Sequence, residues 1–135
     1  MPQTITPYLL YRDGAAAVEY LTQTLGFEEV VRSESPDGRV SHAELRLGDG
    51  HVYLGEPGDD YRSPSDLEAV TVLIHVYVDD VDAHYARAKE AGAPLEAEPE
   101  DRPYGDRSYR TTDPEGHSWF IAQYGRDVPV EEWSG

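Results

Sequence analysis

Hydrophobic and polar positions alternate along most of this 135-residue chain with the two-residue period of strands, and twice the period lengthens to that of a helix. The run Ile5-Thr6-Pro7-Tyr8-Leu9-Leu10-Tyr11 is aromatic and branched and predicts a strand, with Pro7 near its start, where a missing donor is tolerated. A helix is predicted over 13–26: Asp13 can cap it, Val18, Leu21 and Leu25 fall at i, i+3 and i+7 on one face, and Gly26 stops it. The chain then alternates through Glu28 to Ser33, turns at Pro36-Asp37-Gly38 and returns through Val40 to Leu47. Gly48-Asp49-Gly50 makes a second hairpin into His51 to Leu54. The unit is strand, helix, strand, strand, strand.

The same unit recurs. Thr71 to Val78 restarts it, and Asp79 to Gly92 is again a helical stretch opened by an acid and closed by glycine, with 66 residues between the stops Gly26 and Gly92. That offset also relates Gly50-His51-Val52-Tyr53-Leu54 to Gly116-His117-Ser118-Trp119-Phe120. Each half is too small to bury a core alone, so the two must pack on each other. Residues 1–135 are therefore expected to form a single α+β domain: a first βαβββ module at 5–56, a Pro-, Gly-, Ser- and acid-rich linker at 57–70, a second module at 71–124 and a weakly ordered tail at 125–135. Within the second module, Asp113-Pro114-Glu115-Gly116 is a tight hairpin turn, His117 a strand-end surface residue, and Trp119 and Ile121 point away from Phe120 to pack under a helix. In the tail, Trp133 is a candidate for docking on the body.

Composition narrows the function classes. With 11 basic and 27 acidic residues the net charge is −16, which opposes phosphate neutralisation and makes nucleic acid a poor partner. A cationic small molecule would be attracted instead. The chain holds no cysteine, so neither disulfides nor thiolate metal sites are available; with no leader-like N-terminus and no membrane-length apolar run, a cytoplasmic protein with no membrane partner is expected. Ten tyrosines against two phenylalanines favour aromatic surfaces that can be wetted at one edge. No nucleophile with a partnered base can be picked out, and no glycine loop is followed by a phosphate-binding lysine.

The order and spacing of Pro7-Tyr8-Leu9, His42-Ala43-Glu44-Leu45, His75-Val76-Tyr77-Val78-Asp79-Asp80-Val81-Asp82, Arg102-Pro103-Tyr104-Gly105 and Asp113-Pro114-Glu115-Gly116-His117 resemble the vicinal oxygen chelate superfamily. That group holds the glyoxalases, extradiol dioxygenases, fosfomycin-resistance thiol transferases and bleomycin-resistance proteins, and the chain looks most like the metal-free bleomycin-resistance branch. The resemblance implies two tandem βαβββ modules forming a curved mixed sheet with a concave cleft. Metal-using members draw ligands from the first and last strands of each half, which maps onto Thr6 (or Pro7), Leu54, Leu73 and Phe120. Leucine and phenylalanine offer no donor atoms, so no metal and no other cofactor is expected, and enzyme activity is disfavoured.

The expected ligand-binding residues are Thr6, Tyr8, His42, Glu44, Leu54, His75, Tyr77, Tyr104, Gly105 and Phe120, with Tyr104 stacking on the ligand and Gly105 letting backbone approach it. The implied function is sequestration of an aromatic or cationic antibiotic-like molecule in the cleft of a homodimer, as the bleomycin-resistance proteins do. The alternative is a glyoxalase-like lyase or isomerase whose divalent metal has moved to His42, Glu44 and His75.

Overall fold

The computed structural model describes residues 2–134. The first module runs β1 (Tyr8–Leu10), α1 (Gly14–Gln23), β2 (Glu28–Glu34), β3 (Val40–Leu47) and β4 (Gly50–Gly55). A short helix, α2 (Pro64–Leu67), interrupts the linker. The second module runs β5 (Leu73–Tyr77), α3 (Val81–Glu90), β6 (Glu100–Asp101), β7 (Arg107–Thr112) and β8 (Ser118–Gln123), and α4 (Val130–Trp133) lies in the tail. Two mixed four-stranded sheets result, ordered β1-β4-β3-β2 and β5-β8-β7-β6, each with one parallel pair at the end where the module's first strand joins its last.

The tandem βαβββ architecture is as the pattern predicts, and its departures have local causes. The first strand begins at Tyr8 rather than Ile5: Pro7 has no N–H for the ladder and contributes only its carbonyl, which accepts from the Tyr53 N–H at 2.9 Å. Asp80, not Asp79, caps α3, its carboxylate accepting from the Ala83 N–H just as Asp13 accepts from that of Ala16. β6 is only two residues long because Pro99 and Pro103 bracket it. In the linker, Ser63 and Asp66 form a reciprocal capping box with Pro64 behind it, which is enough to set one turn of helix.

The apolar face of α1 is buried as its spacing predicts, with Val18 and Leu21 at 2% and 0% exposure; the helix ends at Gln23, short of the predicted Gly26, so Leu25 lies just past it and is buried at 0%. They belong to one core that also takes Leu45, Val52 and Leu54 from the first sheet and Tyr109, Trp119 and Ile121 from the second. Phe27 meets the Trp119 ring edge-on at 5.6 Å across the module boundary. His84 on α3 reaches the other way: its Nε2 donates to the Leu25 carbonyl at 2.8 Å, leaving Nδ1 to accept from the Tyr109 hydroxyl at 2.6 Å. Burial, helped by the Arg87 charge, holds that imidazole below its ordinary pKa and outweighs the hydrogen bond to Leu25 that raises it.

The strongest tie between modules is ionic at one end only. The Asp113 carboxylate, 4% exposed, accepts from the Tyr11 hydroxyl at 2.6 Å, the Trp119 indole N–H at 3.1 Å and the backbone N–H groups of Glu115 and His117. Burial pushes its pKa up, but hydrogen bonds from His117, Tyr11 and Trp119 together outweigh that and hold it below the usual carboxylate range. The same burial, with the Asp113 charge added, pushes the Tyr11 phenol far up, so it stays a donor. Next along the turn, Glu115 accepts from the Arg12 and Asp13 N–H groups at 2.7 and 2.9 Å.

Replacing Asp113 by Asn keeps the shape but removes the charge and presents a donor to donors. The expected cost is about 2–3 kcal/mol in urea unfolding at pH 7. Because the native carboxyl lies below the unfolded value of 3.8, its contribution is full above that value and is lost as pH falls through the lower native pKa. The gap between wild type and Asp113→Asn must therefore close in acid; a gap that stays constant down to the acid unfolding limit contradicts the assignment.

Candidate functional site

Each sheet has one face on the core and one open face, and the ladder registers define what the open faces carry. On the first sheet Tyr8 pairs with Tyr53, and Tyr53 with Glu44. On the second sheet His75 pairs with Phe120, and Phe120 with Arg110. Strand alternation adds His42 beside Glu44 and Tyr77 beside His75. Both rows are aromatic, and both begin on an exposed edge strand. Tyr8 is 48% exposed, Tyr77 56% and Leu73 46%.

These rows are counterparts, though not at a uniform offset. The N-caps Asp13 and Asp80 are 67 residues apart, as are Tyr8 and His75, and Tyr53 and Phe120. Glu44 and Arg110 on the middle strands are 66 apart. The hairpin explains the change: Gly48-Asp49 closes the first between Leu47 and Gly50, whereas three residues, Pro114-Glu115-Gly116, separate Asp113 from His117 in the second. One extra residue exchanges the two faces of the strand that follows. The uniform 66-residue alignment therefore matched Leu54 to Phe120, but Leu54 is fully buried on the core face and its true partner is Ile121. Tyr53 holds the open-face position, and the difference in loop length was the signal that would have found it.

On the first sheet the polar groups form a chain. The Glu44 carboxylate lies 2.8 Å from His42 Nε2, and His42 Nδ1 lies 2.8 Å from the Tyr8 hydroxyl. A carboxylate can only accept, so Nε2 carries the imidazole proton and Nδ1 accepts from the Tyr8 O–H. The Tyr53 ring stands edge-on to His42 at 5.2 Å and to Tyr8 at 6.0 Å. On the second sheet His75 stacks on Phe120 at 5.5 Å, and the Arg102 guanidinium lies 5.8 Å from the Phe120 ring centroid. Tyr77 donates to the buried Asp106 carboxylate at 2.8 Å, a bond that raises the phenol pKa. Arg110 donates to Ser118 at 3.0 Å and has no carboxylate partner among the described residues.

The remaining expected site residues fall elsewhere. Thr6 lies outside β1, its hydroxyl 3.2 Å from the Gln3 amide. Tyr104 meets the edge of Trp133 at 5.6 Å, so the tail docks on it. Gly105 does permit a close approach, but by the chain itself: a Cβ there would sit 1.9 Å from the Arg126 carbonyl oxygen, and φ is +108°. His117 is no plain surface residue; its ring packs 4.5 Å from Tyr11 and its Nδ1 lies 3.3 Å from the Asp113 carboxylate. Among the described residues no group of three or more His, Asp or Glu side chains is placed to hold a metal ion, and His42 with Glu44 lies on a different sheet from His75.

Several concavities adjoin these faces or the linker, one of them, ≈ 680 Å³, lined by Arg12, Asp59, Asp60, Tyr61, Arg62 and Asp66 and wholly polar apart from Tyr61. A pocket of ≈ 320 Å³ between β4 and β5 is lined by His51, His75, Val76 and Tyr77. A groove of ≈ 500 Å³ runs between β1 and the linker past Tyr8, Leu10, Tyr61, Leu67 and Val70. Another, ≈ 540 Å³, is walled by Arg12, Arg39, Glu56, Asp59, Asp66 and Glu115 and lacks the apolar wall a flat ring system needs.

The chain belongs to the glyoxalase/bleomycin resistance protein/dioxygenase superfamily, whose family model matches residues 4–121. An uncharacterized protein of Mycobacterium bovis is 35% identical over 133 residues, covering 95% of this chain and 88% of its own length. The crystal structure of TioX from Micromonospora sp. ML1 superimposes with a TM-score of 0.73 at 30% identity, over 91% of this chain and 99% of that one. TnmS3, an antibiotic binding protein from Streptomyces sp. CB03234, shares the fold with a TM-score of 0.64 at 21% identity, over 93% and 99% of the two chains.

Gly105→Ala is expected to push the tail off. Trp119 is fully buried and Trp133 is 40% exposed, so the change should red-shift the Trp133 part of the emission while the buried Trp119 part stays as it is, a difference read by comparison with a Trp133→Phe variant. Unchanged emission would mean that the Tyr104 to Trp133 contact does not depend on Gly105.

Proposed function

We propose that this is a metal-independent binding protein that sequesters an aromatic, antibiotic-like small molecule on the open faces of its two sheets. The observation that carries the proposal is the pair of exposed aromatic rows, Tyr8 with Tyr53 and His75 with Phe120, at equivalent places in the duplicated modules. Flat rings lose little entropy on ordering and stack well on such rows. The likeness to TnmS3, by its name an antibiotic binding protein, supports the class of ligand, and the net charge of −16 favours a cationic one.

The rows lie on outward faces of one chain, so a homodimer supplies what a single copy lacks. Apposing the first sheet of one copy and the second sheet of its partner would enclose a ligand between two aromatic surfaces and set Glu44 against Arg110, twice over by symmetry. Exposed Leu10, Leu73 and Tyr77 at the sheet edges would be covered in the same step. The ligand is thereby held by stacking and water exclusion rather than by coordination.

Titration with a panel of planar cationic antibiotics, followed by quenching of intrinsic fluorescence, should saturate for at least one compound. Tyr53→Ala and Phe120→Ala should each weaken that binding roughly tenfold or more, consistent with the loss of a central aromatic contact. Light scattering should give the mass of two chains. A folded dimer that binds none of the panel counts against the ligand class, and a monomer that binds tightly counts against the shared cleft.

A further inference from the structure

Nothing in ligand sequestration needs a hydrogen-bonded series in which a carboxylate orients an imidazole and the imidazole accepts from a hydroxyl, yet Glu44, His42 and Tyr8 form one. Its order is that of a nucleophile, a base and an orienting acid. The three come from two strands separated by β4: β3 carries His42 and Glu44 two positions apart on one face, and β1 brings Tyr8 across. Tyr8 keeps about half its surface open, and its hydroxyl lies over Gly55, where a Cβ would come within 3.1 Å of it, with its proton committed to His42. The Tyr53 ring beside both gives a flat apolar shelf for an aromatic group at the reacting centre. The second sheet has no equivalent, because the places of His42 and Glu44 are taken by Ser108 and Arg110.

We infer that the open face of the first sheet is an acyl-accepting site, with Tyr8 as nucleophile, His42 as general base and Glu44 as positioning residue, acting on aryl esters whose leaving group lies against Tyr53. The Tyr8 oxygen bonds to the ester carbonyl carbon while its proton passes to His42 Nδ1. The bond from that carbon to the aryl oxygen breaks, its electron pair leaves with the oxygen, and the proton on His42 follows it to give the free phenol. Water then attacks the acyl carbon of O-acyl-Tyr8, gives its proton through His42 to the Tyr8 oxygen, and releases the carboxylic acid. The net change is ester plus water to acid plus phenol, with no other reactant. Glu44 acts only through His42, by holding Nε2–H in place so that Nδ1 stays an acceptor.

The activity rests on the same open face as the proposed sequestration but needs no antibiotic, so the two fail separately: drug titration reads one and acylation by a small ester reads the other. Full-length protein is mixed with p-nitrophenyl acetate; p-nitrophenolate release is followed by absorbance and the acetylated residues by peptide mass. Lys89 is the single lysine, so side-chain amine acetylation is confined to one position that peptide mass separates from Tyr8. N-acetyltyrosinamide in the same buffer is the reference for an ordinary phenol, because Tyr77 and Tyr124 are both held by carboxylates that raise their pKa, and circular dichroism checks intact folding in every sample. Acetylation should fall first on Tyr8, vanish in Tyr8→Phe and slow on the order of 100-fold in His42→Gln. Glu44→Gln should slow it roughly tenfold and displace the pH profile, which a merely structural role would not do. Acetylation of Tyr8 no faster than of N-acetyltyrosinamide, or a Tyr8 rate indifferent to His42→Gln, overturns the inference.

Discussion

The buried carboxylate of Asp113 is the constraint on which the two-module arrangement depends. It sits in the hairpin that precedes the last strand, yet its hydroxyl donor, Tyr11, follows the first strand of the other module. A buried carboxylate without donors is far costlier than one with them, so the modules have one relative placement in which that charge is satisfied. Glu115 repeats the tie two positions on by accepting from the Arg12 and Asp13 N–H groups just ahead of α1. Trp119 closes the loop, donating to Asp113 while its ring meets Phe27 in the common core.

That placement turns the core faces of both sheets inward and leaves the aromatic rows outward. A single copy therefore presents two open faces of different chemistry. The first carries Tyr8, His42, Glu44 and Tyr53, a hydrogen-bonded chain beside a flat ring; the second carries His75 stacked on Phe120 under the Arg102 guanidinium, with Arg110 alongside. Duplication supplied equivalent positions, and divergence at Glu44 and Arg110 gave them opposite charge. A cleft closed by a second copy would use that difference rather than suffer like-charge repulsion.

Much of the fold was legible in the sequence because its signals are local. The periodicity of Val18, Leu21 and Leu25, the acids at the helix starts and the positive-φ glycines after the helices each act over a few residues. The site was legible only in part. Tyr8, His42 and Glu44 were each recognisable as candidate site residues, but their joining into a chain depends on β4 spacing the two strands that carry them. Tyr53 was missed and Leu54 named in its place because a single added residue in the second hairpin hides in an alignment by glycines. Tyr104 and Gly105 were assigned to a ligand because the tail that covers them has no periodic signal, and α4 is a single turn held by Trp133.

Mapping amide and aromatic NMR shift changes on titrating a bound planar ligand tests the central claim most directly, since it reports where contact is made without presuming how tight it is. The changes should centre on Tyr8, Tyr53, His75, Tyr77 and Phe120 and should include both sheets at one stoichiometry. Changes confined to the charged groove around Arg12, Asp59 and Asp66, with the aromatic rows silent, would contradict the account.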